Sequence, residues 1–121
     1  RPKVYYEVYS DPMMSVGPKT LIHQVIVAAG GRNIFDDADK DYPIVSSEAV
    51  LERNPDVIVF PKFHGTGCLT VEELRARPGW TKITAVRDGR VYPIDADLIS
   101  RPGPRIVEAV ETLAGLLWKD R

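Results

Sequence analysis

The segment that most narrows the fold is Val57-Ile58-Val59-Phe60, entered through Asn54-Pro55-Asp56. Four apolar residues in succession, three of them β-branched, leave no polar face for water. A strand of this kind is buried on both sides, which places it in the middle of a parallel sheet covered by helices. Such a sheet needs strand and helix to alternate along the chain, because parallel neighbours require a crossover connection.

The flanking sequence supplies that alternation. Residues 3–9, rich in Val and Tyr, read as a strand that leads into a loop over residues 10–17. Pro18 suits a first helical turn. Leu21, Ile22, Val25, Ile26 and Ala29 then recur at helical spacing, and Gly30-Gly31 provides a left-handed C-cap. Ser46 is an N-cap for a short helix through Arg53, with Glu48 in its first turn. Residues 61–67 read as a loop. Thr70-Val71-Glu72-Glu73 is a capping box for a helix that Pro78-Gly79 closes. Asp88-Gly89 reads as a tight turn between two extended segments, Ala85–Arg87 and Arg90–Tyr92. A last loop over residues 95–103 precedes a helix from Pro104 with an apolar stripe of Ile106, Val107, Val110, Leu113, Ala114 and Leu117.

The expected fold is therefore a three-layer α/β domain, a central and mostly parallel sheet with helices on both faces. Ligands of such sheets sit outside the carboxyl ends of the strands, so the loops 10–17, 61–67 and 95–103 share one rim. The 121 residues suffice for one core, and no internal repeat divides them. The chain opens with Arg1-Pro2-Lys3 directly on a strand, so it is expected to be a piece of a longer protein.

Charge and composition exclude several classes. The formal net charge is −1 and no two basic residues are adjacent, which gives nucleic acid no electrostatic footprint. No apolar stretch approaches the roughly 20 residues of a membrane-spanning helix. The lone cysteine, Cys68, has no partner for an internal disulfide.

Enzyme constellations are missing from the sequence. Gly65-Thr66-Gly67 follows a strand without phosphate-loop spacing, and no Gly-x-Ser-x-Gly turn occurs. His23, His64 and Cys68 are the only His and Cys ligands, and they do not form a zinc spacing. His23 reads as a solvated or capping residue. His64 and Cys68 lie near the rim, within reach of a haem iron or a cobalt centre, though ordinary loop roles explain them as well. Asp36, Asp37, Asp39 and Asp41 cluster as a calcium loop would, but lack its glycine and its bidentate glutamate, so a solvated acidic loop is the better reading.

The loops and their flanks, read in order, carry a resemblance. Gly30-Gly31-Arg32-Asn33-Ile34-Phe35, then Tyr42-Pro43-Ile44-Val45-Ser46-Ser47-Glu48-Ala49-Val50-Leu51, then Asn54-Pro55-Asp56-Val57-Ile58-Val59 follow one another. Gly79-Trp80, Ala85-Val86-Arg87-Asp88-Gly89-Arg90-Val91-Tyr92 and Arg101-Pro102-Gly103-Pro104-Arg105-Ile106-Val107-Glu108 complete the series. This ordered set resembles the C-terminal lobe of the cobalamin-, iron-siderophore- and haem-binding receptors of ABC importers, the class III periplasmic binding proteins. The match runs over nearly the whole chain.

The resemblance implies that residues 1–121 form one lobe of a two-lobe receptor, whose N-terminal lobe and linker helix are not part of this chain. It implies a binding protein without catalysis or resident cofactor, in a periplasmic or extracellular location, with lipid anchoring left open. The ligand would be a metal chelate held between the lobes: cobalamin first, then iron-siderophore or haem. Tyr42 would supply an aromatic face to the cleft, and Arg101 would meet a carboxylate, amide or propionate of the ligand. Met13, Met14, Phe63, His64, Ile99 and Ser100 would add contacts from the rim loops. Glu48 would dock onto arginines of the membrane permease. The rival readings are a haem- or metal-binding module built on His64 and Cys68, and a doubly wound enzyme domain.

Overall fold

Residues Val4, Tyr5 and Tyr6 have no exposed surface, and they form the strand around which the chain is organised. The computed structural model describes residues 1–10, 12–62, 70–95 and 106–118. Strand β1 (Lys3–Tyr6) is followed by a two-stranded antiparallel ribbon, β2 (Tyr9–Ser10) with β3 (Met13–Met14). Then come α1 (Leu21–Ala28), β4 (Arg32–Asn33), α2 (Ser47–Arg53) and β5 (Val57–Lys62). The helices α3 (Val71–Arg75) and α4 (Thr84–Arg87), separated by a 3₁₀ turn (Trp80–Lys82), lead to β6 (Val91–Asp95) and α5 (Ile106–Leu117).

The sheet has the order β4-β1-β5-β6, with every pair parallel. Alternate residues of each strand feed two cores. On one face Val4, Tyr6, Val57, Val59 and Ile94 pack with Ile22, Val25 and Ile26 of α1 and Ala109, Leu113 and Leu117 of α5. On the other, Tyr5, Ile58, Phe60 and Val91 pack with Val50 of α2, Leu74 of α3, Trp80, and Ala85 and Val86 of α4. This is the three-layer α/β arrangement that the apolar run at 57–60 called for.

Several local features follow from capping chemistry. Thr20, Ser46 and Thr70 each accept a backbone N–H three residues on and start α1, α2 and α3. Gly30, at φ +93°, ends α1 through paired bonds from Gly30 N to Val27 O and from Gly31 N to Ile26 O.

The structure departs from the sequence reading in several places, and β5 runs on to Lys62, inside the expected loop 61–67. Residues 84–87 are helical, not extended. Asp88-Gly89 is a helix C-cap, with Gly89 N donating to Val86 O and Arg90 N to Ala85 O, so a left-handed glycine serves a helix end here and not a hairpin. Pro18 lies in a turn ahead of α1, which begins three residues later at Leu21, behind the Thr20 cap. The first strand stops at Tyr6, and part of the expected loop 10–17 is the strand β3. The edge strand β4 was not anticipated, because two residues carry no periodicity.

Candidate functional site

The loop that joins β4 to α2 covers residues 34–46, at the carboxyl end of β4, and it owes its course to backbone pairing with a distant segment. Val45 N donates to Met13 O (2.9 Å), Ser15 N to Pro43 O (3.0 Å) and Gly17 N to Asp41 O (2.8 Å). Met14 faces Ile44 in the antiparallel bridge at the centre of this ladder. On its other side Met14 O accepts from Val8 N. Tyr42 and Ile44 lie along this pairing and border the same open space. Tyr42 is 49% exposed and Ile44 is 70% exposed.

Beside this layer lies an open cleft of about 720 Å³. Tyr42, Ile44, Met14 and Phe35 give it apolar surface, Ser46 and Ala49 bring in the start of α2, and Asp37, Asp39, Lys40 and Arg53 give it charge. Arg53, the last residue of α2, holds the floor. Its guanidinium stacks 4.7 Å over the Phe35 ring and donates to Ile34 O and to both carboxylate oxygens of Asp37 (2.9 and 3.3 Å). The hydrogen bond from Arg53 keeps the Asp37 carboxyl below the ordinary carboxylate value. The same Asp37–Arg53 pair borders a second hollow of about 210 Å³ shared with Lys3, Arg32, Ile34 and Asp36, so it partitions the two spaces.

Under the rim, at the end of β1, sits a fully buried carboxylate. Glu7 accepts from Tyr5 Oη (2.8 Å), Ser10 Oγ (2.9 Å) and both terminal nitrogens of Arg77 (2.7 and 2.8 Å). Arg77 stacks 4.6 Å over Trp80. Burial by itself would lower the Arg77 value, but the Glu7 bonds override it and leave the guanidinium above its ordinary value. Burial first, then the charge of Glu7, push the Tyr5 phenol upward. Four donors satisfy the buried charge and tie the β2–β3 ribbon to the turn after α3.

Of the expected ligand residues, the structure brings Met14 and Tyr42 onto one cleft. Met13 is half-buried beside the Tyr5–Trp80 core, and its backbone carbonyl serves the ladder. Glu48 is exposed in the first turn of α2, two residues beyond the cleft residue Ser46. Phe63, His64, Cys68, Ile99, Ser100 and Arg101 lie outside the described residues. His23 is neither free nor a cap: its ring bonds the buried amide of Asn33. Among the described residues no three His, Cys, Asp or Glu side chains converge on a metal position.

Sequence reasoning missed Phe35, Asp37 and Arg53 as cleft residues, and it missed the Glu7–Arg77 pair. The Ser46 cap and the length of α2 could have placed Arg53 near the cleft, since α2 starts on that rim.

The profile described as periplasmic binding protein matches residues 2–98. The chain belongs to the periplasmic binding protein family. Among its family relatives is an uncharacterised ABC transporter substrate-binding lipoprotein, YvrC, of Bacillus subtilis, 33% identical over 97% of this chain and 36% of the relative. A cobalamin-binding protein of Halobacterium salinarum is 34% identical over 94% of this chain and 31% of the relative. The crystal structure of a possible iron-binding, periplasmic solute-binding protein from Staphylococcus epidermidis superposes with a TM-score of 0.87 at 32% identity. That superposition covers 98% of this chain and 46% of the solved one. The chain thus spans about a third of the length of these curated family members.

Proposed function

We propose that this chain is the C-terminal lobe of a receptor that captures a metal chelate outside the cytoplasmic membrane and hands it to an ABC importer. The observation that carries the reading is the cleft: it is open, it lies at the carboxyl end of β4, and its apolar wall is held on a backbone ladder. A broad, partly flat ligand matches an exposed aromatic and aliphatic surface of this kind, because Tyr42 and Ile44 can cover apolar area while the phenol stays wet. A single wall buries only part of such a ligand, so the opposite wall belongs to the missing lobe.

Cobalamin is the first choice of ligand, followed by iron-siderophore and haem. The reading assigns Met14 and Tyr42 to the ligand surface and keeps Met13, Phe63, His64, Ile99, Ser100 and Arg101 as further contacts. It assigns no catalysis. The test is calorimetry on the intact parent protein with cobalamin, haem and ferric siderophores side by side. The chain on its own is expected to bind weakly, since half the buried area and the preorganisation are gone. If the parent binds none of the three, the proposal fails.

Glu48 is proposed as the permease contact. Its exposed carboxylate in the first turn of α2 is also favoured by the helix dipole, by about 0.3–1 kcal/mol. Glu48→Gln in the intact parent separates the roles. Docking predicts near-normal ligand affinity with weakened, less salt-sensitive association with the permease. Association and transport equal to the unmodified receptor would rule docking out.

A further inference from the structure

The strongest structural feature not absorbed by the proposed function is a carboxamide clamp behind the cleft wall. Asn33 ends β4 and is 1% exposed. Its Oδ1 accepts from Phe35 N (3.0 Å), and its Nδ2 donates to Val16 O (2.8 Å) and to His23 Nδ1 (3.1 Å). Three segments therefore meet on one amide: the end of the Met13–Gly17 stretch that builds the ladder, the Phe35 turn under Arg53, and α1.

The orientation of the amide is determined by its partners. Turning it over would set Oδ1 against Val16 O and the NH₂ against Phe35 N–H. A carboxamide nitrogen has no lone pair to offer, so the bond to His23 requires Nδ1 to be the acceptor, with the ring neutral and its proton on Nε2. A second proton places an N–H at Nδ1, facing the Asn33 NH₂ at hydrogen-bond distance. One of the two must then move. His23 is held in the first turn of α1, its backbone N–H on the Thr20 cap, so part of the displacement falls on the Asn33 amide and reaches its bonds to Val16 and Phe35.

We propose that His23 is a pH-sensitive element of the cleft wall: the neutral ring completes the Asn33 clamp, and protonation loosens it at Val16 and Phe35. The charged side chains on the segments around it are Lys19 on the turn before α1, Arg32 and Asp36 on either side of Asn33, Lys40 and Asp41 on the loop bonded to Gly17, and Glu108 and Glu111 on α5, which packs against α1. The ion pairs between described residues do not include the His23 ring. The inference concerns the wall itself and is independent of what the cleft binds.

The test uses the 121-residue chain labelled with ¹⁵N, followed by NMR from about pH 8 down to about pH 5, the range in which imidazole changes charge. The Asn33 side-chain amide and the His23 ring are expected to follow one ionisation. Over the same step, protection of the Phe35 amide, corrected for intrinsic exchange, should fall about three- to tenfold, the equivalent of one lost hydrogen bond. His23→Gln keeps a carbonyl acceptor that does not titrate, and should abolish the step. A ring that titrates while Phe35 protection stays constant overturns the proposal, even if the Asn33 signal shifts with the nearby charge. So does the same loss of protection in His23→Gln. The unmodified chain decides the first point whether or not the variant folds.

Discussion

Replacing Gly17 by alanine should disrupt the ladder that carries Tyr42. A Cβ at Gly17 would stand 2.1 Å from the carbonyl oxygen of Lys40 and 3.2 Å from its carbon, where ordinary contact begins at 3.4 Å. Both partners are backbone, so no side chain can swing away. About 1.3 Å of separation has to be found between the two segments, judged from those distances. The Gly17 N to Asp41 O bond, at 2.8 Å, cannot survive a shift of that size, and the Ser15 N to Pro43 O bond next to it is strained. Losing one or two such bonds costs about 0.5–1.5 kcal/mol each, and the overpacking adds about 1–3 kcal/mol. The expected destabilisation is about 2–4 kcal/mol, read as a lower urea midpoint at unchanged slope. Hydrogen exchange should show the loss at Gly17, Ser15 and Val45. A variant within about 0.5 kcal/mol of the parent, with those amides still protected, would refute the reasoning.

The same substitution should have the opposite sign at Gly115, which lies within α5 with nothing within 4 Å of a new Cβ; Gly115→Ala is expected to raise stability by about 0.5–1 kcal/mol in urea unfolding. Arg77→Met leaves the Glu7 carboxylate buried with only two hydroxyl donors, and should cost about 3–5 kcal/mol. Adding Glu7→Leu to Arg77→Met should recover part of that loss, which a double-mutant cycle would measure. The Asp37 carboxyl is depressed below its ordinary value of 3.8, so its pairing with Arg53 stabilises the loop above that pH and is lost as pH falls through the folded value. Unfolding curves of the parent and Asp37→Asn should therefore differ near neutrality and converge in acid; a constant difference at all pH values would exclude the pair as the cause.

Local chemistry is what made much of the fold readable in advance. The caps at Ser46 and Thr70, the glycine stop at Gly30-Gly31 and the apolar run at 57–60 each act within a few residues, so the sequence carries them directly. The same locality explains the failure at Asp88-Gly89. A left-handed glycine satisfies a helix end and a hairpin turn equally well, and only the Trp80 core, by claiming Ala85 and Val86, selected the helix.

The sequence by itself determined the alternation of strands with helices, the two-sided burial of the sheet and the family to which the chain belongs. Tertiary structure decided the site. Tyr42 and Ile44 face the cleft because residues 41–45 pair with residues 13–17, and no side-chain pattern encodes a ladder made of backbone groups that every residue possesses. Glu7 and Arg77, 70 positions apart, find each other because the sheet brings the end of β1 beneath the turn after α3. A buried charge can be kept only where the fold delivers its partners, and that delivery is a property of the packed chain.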